Sequence, residues 1–573
     1  MVHLTINRQE IEVPEGTTIL KAAEKANINI QTLCYHPDQK IKAVCRICCV
    51  EVEGIQGLPT ACNTPVSEGM VVYTASPKVL KARRNILEMI FARHPQNCLV
   101  CQKNGDCELQ RAAEQVNMHL DIPYDIKPRG IPDDFSSPSI SRSPDKCILC
   151  GRCLEMCNDI QQMNILSKEN RGYETAVIPA YGEKLVDTPC INCGQCIQVC
   201  PTGALFVHND TDDFYHNQDI GKIMICQVAP SVRVTLAEGL GEEPGTISTG
   251  RLVTALKMLG FDKVFDSDFS ADLTIMEEGS ELLHRIKNGG TLPMLTSCCP
   301  GWVKYLETFA PELREHLSTA KSPQQMFGAM IKTYFAEKNS IAPEDIYSVS
   351  IMPCTAKKFE CRRDEMNSSS HRDVDLSLSV IELMGMIKTA GIDFRSIPET
   401  AFDDPFGTGS GAGVIFGATG GVMEAALRTV YAIVSGSEMA DIEFTPVRGF
   451  EGIKEAKVTI ADTEIKLAVA HGIKNAKIII DKIRKGEADY HFIEVMACPG
   501  GCIGGGGTPK KTWEQMQERK RAIYEADRKL PIRLSHENPA IRKIYQEFLK
   551  EPLSDLSHKY LHTAYIDRSD LIK

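Results

Sequence analysis

All but four of the 23 cysteines in this chain fall into groups with the spacing of metal ligands. The densest share one pattern, C-x2-C-x2-C-x3-C: Cys147, Cys150, Cys153 and Cys157, then Cys190, Cys193, Cys196 and Cys200, with Pro201 behind the last. That spacing holds a pair of [4Fe–4S] cubes, each taking three thiolates from one run and the fourth from the other. The expected sets are therefore Cys147, Cys150, Cys153 with Cys200, and Cys190, Cys193, Cys196 with Cys157. The first run departs from the Cys-Pro ending, since Asn158 follows Cys157. Zinc is the alternative occupant, but eight thiolates at this spacing suit iron and sulfide better.

Two further groups precede the repeat. Cys34, Cys45, Cys48 and Cys62 follow C-x10-C-x2-C-x13-C. This differs from the plant-type spacing but suits a [2Fe–2S] site in a small β domain, with a zinc knuckle as the alternative. Cys49 beside them reads as a packed free thiol. In "HPQNCLVCQKNGDC", His94, Cys98, Cys101 and Cys107 offer one imidazole and three thiolates. The motif alone leaves zinc open, whereas its place between other groups favours a [4Fe–4S] cluster with one His ligand. Clusters in series form an electron wire, and a wire needs a terminus where electrons are used. A disulfide framework is disfavoured, because such frameworks belong to short secreted chains and no basic segment followed by an apolar core opens this one.

These groups need elements to hold them. A length of 573 residues fits three to five domains. Segment 1–78 reads as a small β-rich domain, with a hairpin in "HLTINRQEIEV" and a helix in "TTILKAAEKANI". Segment 79–125 reads as helical, and 126–210 carries the repeat behind "PRGIPDDFSSPSISRSPD", which reads as a linker or surface crossing. From 211 to 573 the pattern is a large α/β domain. Strand-like runs ("KIMICQVAPSV", "IYSVSIMPC", "KLAVAHGI", "YHFIEVMAC") alternate with amphipathic helices, and a charged, mainly helical tail ends it. Several strands run into motifs, as sites in open α/β sheets do. The net charge of -11 argues against a nucleic-acid binder. No run of 18 apolar residues predicts a membrane span, and the expected location is the cytoplasm.

The α/β region supplies "TSCCPGW", "MPCTAKK" and "MACPGGCIGGGG", bearing Cys298, Cys299, Cys354, Cys498 and Cys502. Three strand ends could bring them to one sheet edge. These motifs resemble the signatures of the catalytic domain of [FeFe] hydrogenases. The front half resembles the accessory region of the large multi-cluster members and of the complex I iron–sulfur subunit, and the likeness covers nearly the whole chain. It implies a β-grasp [2Fe–2S] ferredoxin-like domain, a small helical domain whose cluster takes one His and three Cys ligands, a two-cluster ferredoxin-like domain and an α/β domain holding the H-cluster. In that cofactor a [4Fe–4S] cube, expected on Cys299, Cys354, Cys498 and Cys502, bridges through Cys502 to a two-iron subsite carrying CO, cyanide and azadithiolate. Separate maturation proteins insert the subsite. The implied accessory set is one [2Fe–2S] and three [4Fe–4S] clusters, one with a His ligand. The implied reaction is reversible oxidation of H2 to protons and electrons.

The resemblance also assigns roles residue by residue. Cys299 is a ligand, while Cys298 starts a proton path through Glu278, Ser318, Glu281 and Arg285. Spacings of three, four and seven put Glu278, Glu281 and Arg285 on one helical face; without the resemblance they read as a solvated surface. Lys357 would hold a cyanide ligand, and Pro230, Ser231, Gln324, Met352 and Met496 would surround the subsite; alone, either Met reads as core. The Gly-rich "FGATGGVMEAALR" lacks the Lys-Ser/Thr ending of a phosphate loop and reads as close backbone packing. Cys226 and Cys361 read as free thiols. The chain shows no dinucleotide fingerprint after a strand. The likeness of "HPQNCLVCQKNGDCELQ" to complex I points to the catalytic subunit of an NAD(P)-linked, electron-bifurcating complex. Its partners would be ferredoxin, a flavin- and NAD(P)-binding Fe–S subunit and a small [2Fe–2S] subunit. The alternatives are a stand-alone ferredoxin-dependent hydrogenase, a non-catalytic electron-transfer subunit, an iron–sulfur assembly protein and a hydrogen sensor.

Overall fold

A computed structural model describes residues 1–118, 128–436, 443–460 and 463–572. The expected 125/126 domain boundary lies outside these residues. At the N-terminus, β1 (Val2–Ile6) and β2 (Gln9–Val13) form the antiparallel hairpin, and β4 (Met70–Tyr73) joins β1 in parallel. With β3 (Glu51–Val52) the sheet order is β2-β1-β4-β3. The Ile19–Lys25 helix is capped by Thr18 and buries Ile19, Leu20, Ala22 and Ala23, closing a core with Ile6, Val50 and Val72. Alternation puts Val2, Leu4 and Ile6 on that inner face.

Helices Pro77–Phe91 and Glu108–Gln115 follow. They pack Leu87, Phe91, Leu109 and Ala112 against Leu33 and Ile47, so this helical pair shares its core with the β unit before it.

The segment expected to be a linker is structural. Its second half is β5 (Ile140–Arg142), antiparallel to β8 (Leu205–Val207), with Ser137, Ser139 and Ser141 buried. Asp134 pairs with Arg142 at 2.8 Å and also accepts the Leu185 N–H. The high Ser and Pro content misled because these serines are buried, Ser137 and Ser141 with their hydroxyls hydrogen-bonded to Asn192 and His208. A second hairpin, β6 (Leu166–Glu169) with β7 (Ala176–Pro179), completes the unit. Its core is continuous with that of the region that follows: Ile191, Ile197 and Leu205 pack in one cluster with Trp302, Leu306 and Val495.

That region contains two four-stranded sheets. The first is β10-β9-β12-β13, all parallel: β9 (Ile223–Val228), β10 (Lys263–Asp266), β12 (Ile346–Met352) and β13 (Leu376–Ser379). The second is β11-β16-β15-β14, with β11 (Met294–Leu295), β15 (Thr463–His471) and β16 (Phe492–Met496) parallel and β14 (Ile453–Ile460) antiparallel on the edge. The cysteine motifs therefore do not share one sheet edge. Cys354 follows β12 in the first sheet, while Cys299 and Cys498 follow β11 and β16 in the second. Near-continuous apolar strands such as β9 and β16 are buried on both faces, as expected of parallel strands. The long Ser267–Asn288 helix starts at an Asp266 cap and ends at Gly289, whose φ of +72° needs glycine. The tail opens with the Trp513–Lys529 helix, under a Thr512–Gln515 capping box.

Candidate metal and proton-transfer site

The carboxyl ends of strands from both sheets surround a cavity of about 790 Å³. Cys299, Cys354, Cys498 and Cys502 all line it, as do Cys298, Pro230, Ser231, Gln324, Met352, Lys357 and Met496. Phe416 and Gly417 of the Gly-rich segment close one side. That segment does open a helix, Gly421–Ser435, whose first amides Gly420 and Met423 donate to Glu494 at 2.6 and 2.8 Å. Residue spacing did not single out Ser267 and Ala271, which also line the cavity. Their signal was their position on the same helical stripe as Glu278.

Several features fit a bound iron–sulfur group. The Ser231 hydroxyl is buried with no hydrogen-bond partner among the described residues, and it borders the cavity. Burial raises the Cys498 thiol to about 11 and Cys502 to about 12, each pushed further by the other ligand-position thiols. Four crowded thiols cost much as free anions, so coordination to iron is their favourable charged state. Lys357 Nζ donates to the Cys298 carbonyl at 3.1 Å and pairs with Glu360 at 2.9 Å. Burial works against its charge, but Glu360 and the Cys354 and Cys298 thiols more than offset that and raise its pKa. Gln324 is fixed by donating to Glu360 at 2.9 Å and accepting from Ser350 at 2.7 Å.

The neighbours Cys298 and Cys299 have different surroundings. Cys299 is the cap of the Pro300–Phe309 helix, and Pro300 at the first position fixes that start. Its sulfur accepts the Ala497 N–H at 3.4 Å. Burial raises its pKa, but the amides of Ala497, Trp302 and Gly301 oppose the rise and favour a thiolate. Cys298 lacks this cradle. Burial and the Glu278 charge drive its pKa far up, so it stays a protonated thiol.

From Cys298 a line of polar groups leads away. Glu278 is buried within the Ser267–Asn288 helix, and neither carboxylate oxygen has a hydrogen-bond partner among the described residues. Burial, then the Glu281 charge, pushes it up to about 8; the Ser318 hydroxyl and Ser297 N–H, near but outside hydrogen-bond geometry, oppose that rise. The fully buried Ser318 donates to Glu281 at 2.8 Å. Arg285 grips Glu281 through Nε at 3.1 Å and Nη2 at 2.6 Å, and Thr319 N–H adds 3.0 Å. Arg285, half-buried, also donates to the Glu315 and Leu317 carbonyls, so the stripe ends near solvent. Glu278 and Glu281 thus lie inside the protein and not on a solvated helix face.

Three smaller cavities collect the other cysteines. One, of about 460 Å³, is lined by Cys147, Cys150, Cys153 and Cys200, and another of about 460 Å³ by Cys157, Cys190, Cys193 and Cys196. Each takes three thiols from one run and the fourth from the other. A third, of about 330 Å³, is lined by His94, Cys98, Cys101 and Cys107. His94 is held neutral, lowered to about 4 by burial, and its Nδ1 has no hydrogen-bond partner among the described residues. At the N-terminus Cys34 and Cys45 interact sulfur to sulfur, as do Cys48 and Cys62. Among the described residues no three His, Cys, Asp or Glu side chains close on a point small enough for a single ion. The sets that line the four cavities ring open volumes instead, which fits multinuclear clusters. All 23 cysteines are free; Cys49, Cys226 and Cys361 are buried and border none of these four cavities.

Comparison with known proteins agrees with this geometry. The family described as "Iron only hydrogenase large subunit, C-terminal domain" matches residues 222–506, and "Iron hydrogenase small subunit" matches 513–568. A "2Fe-2S iron-sulfur cluster binding domain" matches 1–77, the "NADH-ubiquinone oxidoreductase-G iron-sulfur binding region" 83–120, and a "4Fe-4S dicluster domain" 146–204. The NADP-reducing hydrogenase subunit HndD of Solidesulfovibrio fructosivorans is 48% identical over 100% of both chains. Iron hydrogenase 1 of Clostridium pasteurianum is 40% identical over 99% of this chain and 100% of its own. The solved [FeFe]-hydrogenase HydA1 of Chlamydomonas reinhardtii superposes with a TM-score of 0.55 at 44% identity, over 60% of this chain and 94% of that one. Two relatives matched end to end, and cysteine sets that ring the matched cluster domains, leave one reading: the chain belongs to the [FeFe] hydrogenases, as a multi-cluster member with 2Fe–2S, 4Fe–4S and H-cluster domains.

Proposed function

We propose that this hydrogenase is the catalytic subunit of an NAD(P)- and ferredoxin-linked, electron-bifurcating complex that oxidises H2 and reduces protons reversibly. The observation that carries the catalytic part is the cavity between the two sheets that gathers Cys299, Cys354, Cys498 and Cys502, with a buried carboxyl leading off it that has no hydrogen-bond partner among the described residues. Cys299, Cys354, Cys498 and Cys502 would hold the H-cluster cube. When bound, the H-cluster supplies the redox chemistry that splits and forms dihydrogen. Pro230, Ser231, Gln324, Met352 and Met496 shape the walls and exclude water. Lys357 presents ammonium donors to an anionic ligand in the cavity.

Cys298 holds a proton beside the cavity and exchanges it with Glu278, which keeps its own proton near neutral pH. From Glu278 the proton passes by Ser318, a hydroxyl able to give one proton as it takes another, to Glu281. Arg285 holds Glu281 in place and ends the path at the surface. Cys34, Cys45, Cys48 and Cys62 would hold one [2Fe–2S] cluster, the crossed sets two [4Fe–4S] clusters, and His94, Cys98, Cys101 and Cys107 a third, which together would supply a separate route for electrons. The chain then divides into 1–78, the small helical domain 79–125 with its one His and three Cys ligands, 126–210 and 211–573. The β unit has a core of its own, but Leu33 and Ile47 also share one with the helical pair, and the shared core across residue 210 makes the last two one packed body.

Support for the complex is the full-length likeness to an NADP-reducing hydrogenase subunit and the 83–120 match to an NADH-ubiquinone oxidoreductase region. Its partners are ferredoxin, a flavin- and NAD(P)-binding Fe–S subunit and a small [2Fe–2S] subunit. We place the complex in the cytoplasm; no helix among the described residues is long and apolar enough to cross a membrane. Purification of the chain from its native host should bring flavin with it and yield NAD(P)H-dependent hydrogen evolution. A lone chain that works with ferredoxin and never with NAD(P)H would make it a stand-alone enzyme.

The orphaned His94 nitrogen gives a second prediction. His94→Ala should remove or alter one reduced-state EPR signal and leave the others. An unchanged set of signals would leave His94 a structural residue.

A further inference from the structure

Between the Cys157/190/193/196 cavity and the catalytic cavity the seam is backbone against backbone. A methyl group on Gly506 would lie 2.3 Å from the Cys193 carbonyl and 2.6 Å from the Gly194 Cα, so only glycine permits this approach. Cys193 and Cys498 are close enough across it that the Cys498 charge is felt at Cys193. The Gly504 carbonyl sits in the seam and takes two donors. Gln195 Nε2, from the cluster unit, donates at 2.8 Å, and Lys511 Nζ, from the tail, also donates. Gln198 reinforces the joint by donating to the Gly506 and Thr508 carbonyls at 3.0 and 2.7 Å.

Lys511 is the odd member of this group. Its neighbour Lys510 pairs with Glu108 at 2.8 Å, but among the described residues no carboxylate lies within ion-pair distance of Lys511. The nearby Glu238 is taken by Arg519 at 2.8 Å. A half-buried cation with no carboxylate beside it is disfavoured relative to one in open water. Burial lowers the Lys511 pKa to about 7, and the groups that restore its charge include the Cys498 and Cys193 thiols. The charges that favour its ammonium are thus those of one cysteine from each set it lies between, with the more weakly felt Glu238 behind them.

We propose that Lys511 is a positioning residue of the electron route, whose ammonium sets the potentials of the two iron–sulfur centres on either side of Gly504. This rests on the reading of Cys193 and Cys498 as ligands. Lys511 exchanges no electron, and below its pKa of about 7 it carries a positive charge. That charge would lower the energy of whichever neighbouring centre is reduced, because reduction adds negative charge. It raises both midpoints.

The test is an EPR-monitored redox titration of the full, cluster-loaded chain in two variants. Lys511→Gln keeps donors for the Gly504 carbonyl but removes the charge; Lys511→Arg keeps the charge. The Gln variant should shift both centres to more negative potential. The expected size is a tenfold change in reduced-to-oxidised ratio at fixed potential, about 59 mV for a one-electron centre. The Arg variant should stay at the wild-type midpoints, and the N-terminal [2Fe–2S] centre should not move in either. Unchanged midpoints in Lys511→Gln, or equal shifts in Gln and Arg, would overturn the proposal. Failure of the underlying ligand reading would look different: Cys193→Ser and Cys498→Ser would keep wild-type iron content and signals, and the proposal would fall with it.

Discussion

Replacing Cys298 with alanine should cut dihydrogen turnover by roughly 10²- to 10⁴-fold, the usual weight of a positioned proton donor, while iron content stays at the wild-type level. The reason is the division of labour between adjacent cysteines. Cys299 caps a helix and accepts the Ala497 N–H, so its sulfur is prepared for metal. Cys298 faces the same cavity with no such amides, and burial above all keeps its proton on. Alanine removes the proposed proton carrier and leaves all four proposed cube ligands. Both directions of the reaction should fall together, because one path serves both. Cys298→Ala with near-normal turnover and normal iron would end the role assignment. A proportional loss of iron and activity would make Cys298 a structural or ligand residue.

Glu278→Gln should produce a loss of similar size, with a distinct pH signature. The Glu278 carboxyl rises from an ordinary 4.5 to about 8, chiefly through burial. At about 1.4 kcal/mol per pKa unit, this is a penalty of roughly 5 kcal/mol for burying it ionised. A raised folded-state value means the folded protein holds a proton that the unfolded chain gives up. Stability linked to Glu278 is therefore fully present below pH 4.5 and declines as pH rises through the window up to about 8. Glutamine cannot ionise, so the variant should lose less unfolding temperature than wild type between pH 6 and 9. The same change removes the path's second proton carrier, so it should turn over poorly at every pH. An active Gln variant, or one whose unfolding temperature follows pH as steeply as wild type, would contradict this account of Glu278.

Much of the site was legible in sequence because thiolate spacing is a local constraint. The C-x2-C-x2-C-x3-C runs anticipate the crossed cysteine sets that line two cavities, since the chain must fold each run around its own cluster. The helical stripe of Glu278, Glu281 and Arg285 was visible as periodicity, but its burial was not. A charged face buries only when its partners, here Ser318, Thr319 and the Leu317 carbonyl, come from a segment some 30 residues away. The existence of two sheets was hidden for a similar reason: strand patterns show burial but not neighbours. Segment 128–145 misread as a linker, since Ser and Pro mark loops on average, while here Ser139 and Ser141 are buried around a strand and Asp134 is locked to Arg142. Lys511 carried no signal at all. Only the three-dimensional seam shows a lysine with two sets of thiols and no carboxylate.

Iron-edge anomalous diffraction from crystals of the full chain, purified from its native host, tests the central claim most directly. The account predicts a strong iron peak inside the cavity lined by Cys299, Cys354, Cys498 and Cys502. An iron map empty there while the front-half cysteine sets are filled, or a zinc-edge signal in its place, would contradict it.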